Sequence, residues 1–327
     1  TRCSMNIYEK RIMERIVFGP VPSRRLGQSL GINNIPPKIC SYSCLYCQIG
    51  RTVNISTERK EFYPVKRIVD ETGKILDRLR ERKEKVDYIT FVPDGESTLD
   101  INLGQEIREL KKFGLKIAVI TNASLLWQKE VRADVVESDL VSVKIDAFDG
   151  KVWQKINRPA EELNHKKILE GIKQFRTVFS GTFLTETLLV RGINDSDKEI
   201  TDIAVFISDL KPSIAFIGIP TRPPAENWVF PPEADVVNRA YVIFTKRGIN
   251  TELILAGGAT TNFGYTGDIE SDILHIVSVH PMSHRQVEEL LKKAGRTWET
   301  MEKLLSQRKV KAVEYQGERY YLKDFTH

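Results

Sequence analysis

Short apolar runs alternate with longer amphipathic stretches between about residue 28 and residue 256. Six runs rich in Val, Ile, Phe and Thr are nearly continuous, as strands buried on both faces of a sheet should be. They cover residues 29–35, 86–92, 116–121, 140–146, 182–190 and 214–219. Amphipathic stretches of helical length cover residues 65–82, 102–113, 161–178, 197–210 and 234–246. The alternation predicts an α/β protein with a parallel sheet. Periodicity alone leaves open whether the sheet is doubly wound or curved into a partial barrel.

The pattern changes after a glycine-rich joint at residues 256–267. Three short helices are predicted at 268–279, 283–294 and 297–308, with Ser283 and Thr297 as N-caps. An alternating hairpin at 310–315 and 319–322 follows, which completes the element order of a winged-helix module. We therefore predict four parts: an N-terminal extension (1–27), a core (28–256), a linker (257–267) and a small winged-helix-like domain (268–327).

Composition and charge exclude several classes of protein. The 327 residues are 41% hydrophobic and 28% charged, which is typical of a globular chain. Residues 1–83 contain 17 Lys or Arg against 8 Asp or Glu, so the net charge of +5 comes entirely from the first quarter. A uniformly basic nucleic-acid coat is therefore excluded. We find no apolar run of membrane-spanning length and no secretory signal, and we expect a cytoplasmic protein without a membrane partner.

Three cysteines lie within eight residues, as Cys40, Cys44 and Cys47. The fourth, Cys3, lies 37 residues before Cys40 in the sequence, whereas a structural zinc site normally has four ligands. Three thiolates with one open position suit a catalytic metal, or an iron-sulfur cluster in which one iron is left for another ligand. The alternative is that the three cysteines are unrelated and bind no metal, but their tight spacing disfavours it.

The C-x3-C-x2-C spacing, with Tyr46 before the third cysteine, resembles the radical S-adenosylmethionine (radical SAM) superfamily. The resemblance implies a partial (β/α)6 TIM-like barrel and one [4Fe–4S] cluster held by the three cysteines. It also implies that an electron, delivered by a donor such as ferredoxin or flavodoxin, cleaves SAM to methionine and a 5′-deoxyadenosyl radical. That radical abstracts hydrogen from the substrate. Residues 19–51 and the C-terminal module resemble an uncharacterised prokaryotic branch near the wyosine-base synthases and the molybdenum-cofactor enzymes.

Further candidates for SAM contacts follow the predicted strands. The loop at 92–99 resembles the family's Gly-Glu loop, which implies that Asp94, Gly95 and Glu96 receive the methionine ammonium; a plain turn is the alternative. Thr121 and Asn122 end the third predicted strand.

On the fourth predicted strand, Lys144 and Asp146 share a face. Buried charges are costly, so this pair is expected to line a cavity near the SAM ribose or carboxylate, or to form an internal ion pair. Asn157 and Arg158 either meet the SAM carboxylate or form a turn, and Leu188 belongs to a stretch that resembles the adenine-packing segment of relatives.

Four charged residues are candidates for substrate contacts. Glu186 lies in a buried run and is a candidate for contact with the substrate or with SAM. Arg222 follows the sixth strand, where it is suited to an anionic group. Arg24 and Arg25 lie in a rigid Pro/Gly frame that we expect to cross the barrel mouth and meet a carboxylate or phosphate. Solvated surface arginines are the alternative.

The chain departs from some relatives, since only Cys3 is spare and a second all-cysteine cluster is excluded. That counts against the wyosine reaction. We expect a radical SAM enzyme with an unidentified, anionic substrate. The alternatives are a tRNA base-modifying enzyme and a non-catalytic Fe–S/SAM sensor with a DNA-binding winged helix. Residues 268–327 hold 10 basic and 10 acidic residues, which favours docking or a lid over nucleic-acid binding.

Overall fold

A computed structural model of the protein describes residues 16–255 and 262–324. Its main feature is an eight-stranded sheet with the order β1-β2-β5-β6-β7-β8-β9-β10. Neighbouring strands from β2 to β10 run parallel, and β1 is antiparallel to β2 at one edge. The strands are β1 (Val17–Ser23), β2 (Gly27–Ile32), β3 (Ile39–Cys40), β4 (Asn54–Ile55), β5 (Tyr88–Phe91), β6 (Lys116–Thr121), β7 (Leu140–Lys144), β8 (Thr182–Leu188), β9 (Ile214–Gly218), β10 (Thr251–Ile254), β11 (Met282–Ser283), β12 (Val310–Tyr315) and β13 (Glu318–Lys323).

Helices connect the parallel strands and cover one face of the sheet. In the first helix, Ile68, Ile75, Leu76 and Leu79 are buried at helical spacing, which explains why this stretch packs on the sheet. The helix after β8 begins where Ser196 Oγ accepts from Glu199 N at 3.2 Å, a hydrogen bond typical of a serine N-cap. The helices are α1 (Val65–Glu81), α2 (Leu103–Lys111), α3 (Lys129–Val135), α4 (Gly150–Asn157), α5 (His165–Val178), α6 (Asp197–Leu210), α7 (Ala234–Thr245), α8 (Ile269–Val279), α9 (His284–Lys293) and α10 (Glu299–Ser306).

The face of the sheet opposite the helices curves around the turn between β1 and β2. Leu26 in that turn packs against side chains from four successive strands, Ala118, Leu140, Leu184 and Phe216. Within the described residues β1 and β10 remain the two edges of the sheet, so the curve does not close. The turn inserts into this concave space instead of crossing its mouth, because Leu26 gains an apolar environment there.

The small C-terminal unit has its own core and lies against the edge of the sheet. Helices α8, α9 and α10 pack with a three-stranded sheet of order β11-β13-β12. Gly264 N donates to Pro20 O at 2.7 Å, and Lys293 pairs with Glu84 at 2.5 Å. Val21 of β1 joins the core of the unit, so the two parts share an apolar contact.

The structure differs from the sequence predictions at several points. Residues 17–23, assigned to an extension, form β1; Pro20 and Pro22 argue against a central strand but are tolerated at a sheet edge. Short α3 and α4, and strand β10, were not predicted. The last helix is capped at Trp298 and not at Thr297. Cys3 and residues 257–261 of the predicted linker lie outside the described residues. No helix among the described residues is long and apolar enough to span a membrane.

Candidate active site

The cysteine loop lies beyond the carboxyl ends of the parallel strands and is fixed by backbone hydrogen bonds. Ser43 N donates to Asn157 O at 3.0 Å, and Leu45 N donates to Ile156 O at 2.9 Å. Cys40 ends the short strand β3, and Cys47 N donates to Cys44 O at 3.1 Å. The end of α4 therefore holds the loop that carries all three thiols.

The donor set of this loop fits an iron-sulfur cluster. Cys40, Cys44 and Cys47 are free and partly buried. Burial raises the pKa of all three thiols, that of Cys44 to about 12, so metal binding must displace their protons. Among the described residues, no three Cys, His, Asp or Glu side chains converge on one ion. A [4Fe–4S] cluster needs no such point, because each thiolate binds a different iron.

Two asparagine amides face the sulfurs of the loop. Asn157 Nδ2 lies 3.4 Å from Cys44 Sγ, and Asn122 Nδ2 lies 3.6 Å from Cys40 Sγ. Amide donors of this kind stabilise negative charge on cluster ligands. The structure therefore brings these two predicted SAM-site residues to the cysteines themselves.

The Gly-Glu loop packs directly against β3. A Cβ atom on Gly95 would lie 1.8 Å from Ile39 O, so only glycine fits there. Glu96 Oε1 accepts from Thr121 Oγ1 at 2.6 Å, and Glu96 Oε2 accepts from Asn122 N at 2.7 Å. Burial raises the pKa of Glu96, while these hydrogen bonds oppose the shift. Glu96 thus ties the ends of β5 and β6 together beneath the cysteine loop.

The backbone of Asp94 joins the same loop to its surroundings. Lys38 N donates to Asp94 O at 2.9 Å, and Asp94 N donates to Asn33 Oδ1 at 3.0 Å. Asp94, Gly95 and Glu96 therefore lie together beside the cysteines, and their contact with the methionine ammonium stays a prediction.

Lys144 and Asp146 point into the concave space, and Asp146 organises a network there. Asp146 Oδ2 accepts from the Tyr46 hydroxyl and from Asn157 Nδ2, and Asp146 Oδ1 accepts from Leu188 N at 2.9 Å. Lys144 Nζ lies 4.7 Å from the centre of the Tyr46 ring. Five predicted site residues therefore meet at one place.

A charged group lies deeper in the same space. Glu186 Oε2 pairs with Arg25, and Glu186 Oε1 lies 3.3 Å from Lys144 Nζ. Burial alone raises the pKa of Glu186, but the two cations outweigh it and lower this pKa to about 2. Glu186 is therefore ionised. Lys144 forms the internal ion pairs that were one of its two predicted roles, with Glu186 and with Asp146; its contact with SAM stays a prediction.

The remaining predicted arginines have other contacts. Arg158, the left-handed C-cap of α4, pairs with Glu226, which also binds Arg51 at 2.8 Å. Arg24 Nη1 donates to Leu255 O at 3.0 Å. Arg222 contacts Gln48 and His280. Sequence reasoning missed Gln48, whose signal was its position next to Cys47, and also Glu226 and His280, for which the sequence offers none.

The curved parallel sheet and the three-thiol loop at its carboxyl end define an α/β protein built to hold an iron-sulfur centre. Residues 34–204 match the family profile described as the Radical SAM superfamily. The chain belongs to this superfamily, whose members are enzymes that use a [4Fe–4S] cluster and S-adenosylmethionine. Both predicted cofactors are thereby confirmed for the family.

Individual proteins are also similar to this chain. UPF0026 protein MJ1312 of Methanocaldococcus jannaschii is 43% identical over 310 residues, which cover 94% of this chain and 96% of that protein. A probable GTP 3′,8-cyclase of Pyrococcus horikoshii is 23% identical over 195 residues, covering 59% of this chain and 57% of that protein. The crystal structure of a radical SAM methyltransferase from Sphaerobacter thermophilus has a similar fold, with a TM-score of 0.53 and 14% identity, covering 71% of this chain and 67% of that one.

Proposed function

We propose that this protein is a radical SAM enzyme that removes hydrogen from an anionic substrate bound in the concave space of the sheet. The observation that carries the proposal is the group of cations beside the cysteine loop. Arg25 and Lys144 share Glu186, while Arg222 lies near Arg24 and Arg25 and raises the local positive charge. Such a field attracts anions and holds them near the reacting atoms.

The chain's own residues have separable roles in this proposal. Cys40, Cys44 and Cys47 hold the cluster, which when bound supplies the electron for reductive cleavage of SAM to the 5′-deoxyadenosyl radical. Glu96 fixes the loop that is expected to receive the methionine ammonium, through its hydrogen bonds to Thr121 and Asn122.

Other residues shape the space that faces the cluster. Asp146 fixes Tyr46 and the backbone of Leu188, which is expected to pack against adenine. The apolar contacts of Leu26 close the floor of the space. Exclusion of water from such a floor protects a reactive radical from side reactions.

We also propose that the small domain is a winged-helix-like module that serves as a lid. Its order of three helices with a hairpin, and the pairing of β11 with β13, support that architecture. Two of its hydroxyls reach the loop after β9: Tyr315 OH donates to Pro220 O at 3.3 Å and Tyr320 OH to Thr221 O at 3.1 Å. A module committed to DNA would keep this hairpin for the nucleic acid.

A reduced ferredoxin or flavodoxin is the electron donor we propose. The supporting observation is the excess of Lys and Arg in residues 1–83, which include the cysteine loop. An acidic donor would be steered to this side of the molecule. The rate at which the donor reduces the cluster should therefore fall steeply as ionic strength rises.

Deuterium transfer tests the proposed substrate class. The anaerobic protein, SAM and a reductant are incubated with a deuterated cell extract, and deuterium in 5′-deoxyadenosine is measured after the extract is split on an anion-exchange resin. The proposal predicts that the activity elutes from the resin with salt, because the substrate is anionic. Activity confined to the unbound fraction would contradict it. Activity that is lost after ribonuclease treatment would identify RNA as the substrate.

A further inference from the structure

The loop that follows β9 carries Arg222 into the gap between the cysteine loop and the small domain. Arg222 Nη1 donates to Gln48 Oε1 at 3.2 Å, and Arg222 Nη2 lies 3.0 Å from His280 Nε2. His280 is neutral there, because burial and the Arg222 charge lower its pKa well below the usual value. Both contacts of the guanidinium are therefore uncharged.

Arg222 carries a half-buried charge that the described part of the chain does not neutralise. Within residues 16–255 and 262–324, no carboxylate lies within ion-pair distance of Arg222. Burial, and then the charges of Arg24 and Arg25, lower the pKa of Arg222 to about 10. Arginines that are shielded from water normally pair with an acid. Here Glu186 is already taken by Arg25 and Lys144.

Three segments of the chain fix the position of Arg222. Tyr315 and Tyr320 hold the backbone just before it. Gln48, directly after Cys47, also donates through Nε2 to Val279 O at 2.8 Å, next to His280. A guanidinium that is oriented before its ligand arrives loses little entropy on binding. The remaining N–H groups of Arg222, out of the five that a guanidinium carries, are left for a ligand.

We propose that Arg222 is the anchor for an oxyanion of the substrate, a carboxylate or a phosphate, and that His280 of the small domain is its positioning residue. The site lies beside the cysteine loop, at the junction of the sheet and the small domain. Its assignment to the substrate rests on the proposed function. The capacity to bind an oxyanion does not, so the two can be tested separately.

Calorimetric titration of the anaerobically reconstituted protein with inorganic phosphate, and separately with acetate, tests the site without SAM or reductant. We expect the wild type to bind one of the two anions at a single site, and the preferred anion identifies the group. Arg222→Gln should weaken that binding by at least about tenfold, since a charge-assisted contact is lost. His280→Phe should weaken it less. Arg239→Gln, which removes an exposed arginine on α7, is the matched control and should leave it unchanged.

The outcomes separate the site from the reaction. Anion binding by the wild type with full affinity in Arg222→Gln would overturn the proposal, and so would failure of the wild type to bind either anion. If Arg222→Gln does not fold, Arg222→Lys decides, because it keeps the charge but loses the planar donor array. Wild-type affinity in both Arg222→Lys and His280→Phe would then overturn the proposal. If the wild type binds the anion but does not cleave SAM, the proposed function is refuted and the anion site still stands.

Discussion

The contact between Gly95 and β3 leads to a sharp prediction for Gly95→Ala. The added Cβ would lie 1.8 Å from Ile39 O, whereas real Cβ atoms essentially never come within 3.0 Å of such an atom. The obstacle is a backbone carbonyl, so β3 must withdraw by about 1.2 Å. Glu96 N, which donates to Ile39 O at 3.3 Å, then loses its partner. Overpacking and the lost hydrogen bond together should cost about 2–4 kcal/mol of folding free energy.

The same shift should weaken the cluster site, since Ile39 precedes Cys40. We expect Gly95→Ala to retain fewer than about two of the four irons that a [4Fe–4S] cluster holds. Urea denaturation of the metal-free protein measures the loss of stability, and iron and sulfide analysis after reconstitution measures the cluster. Gly73→Ala is the control. Gly73 lies inside α1, where alanine favours the helix, and the added Cβ would lie at an ordinary distance of 3.4 Å from the Phe113 ring. Wild-type stability and iron content in Gly95→Ala would refute the reasoning.

Three further predictions concern buried polar groups. Asn157→Ala removes the amide donor to Cys44 Sγ and should therefore lower the midpoint potential of the cluster. A redox titration followed by electron paramagnetic resonance measures this potential. An unchanged potential would show that the amide does not act on the cluster. Burial raises the pKa of Asp100, so the stability from its bound proton is present below about pH 4 and lost as pH rises through this raised pKa. Asp100→Asn should flatten the dependence of urea midpoints on pH, and an unaltered pH profile would contradict this. Glu186→Gln leaves Arg25 and Lys144 without their shared partner and should cost about 3 kcal/mol of folding free energy. Asp202→Asn removes the half-buried partner of the exposed Lys198 and should cost less than about 0.5 kcal/mol. Equal losses in the two variants would contradict the shared role of Glu186.

Features encoded by neighbouring residues could be predicted from the sequence. The six predicted strands match β2 and β5 to β9 to within three residues at each end, because continuous apolar runs are a local signal. The cysteine spacing likewise lies in one loop. Strand β1 was not predicted, because its two prolines argue against a strand. The edge position that tolerates them is a property of the assembled sheet.

Contacts between distant residues could not be predicted. Arg25 meets Glu186 across 161 positions, and Arg222 meets His280 across 58 positions and a change of domain. No periodicity relates such pairs, since they depend on the curvature of the sheet and on where the small domain packs. Arg158 was predicted either to meet the SAM carboxylate or to form a turn; neither expectation could include Glu226, with which its side chain pairs across 68 positions.

Reductive cleavage of SAM tests the central claim most directly. Anaerobically reconstituted protein, dithionite and SAM are incubated, and 5′-deoxyadenosine is quantified by liquid chromatography. We predict that the wild type forms 5′-deoxyadenosine, and that a variant with Cys40, Cys44 and Cys47 all replaced by alanine forms none. Equal amounts of 5′-deoxyadenosine from the wild type and from that triple variant would contradict the claim that these three thiols hold the catalytic cluster.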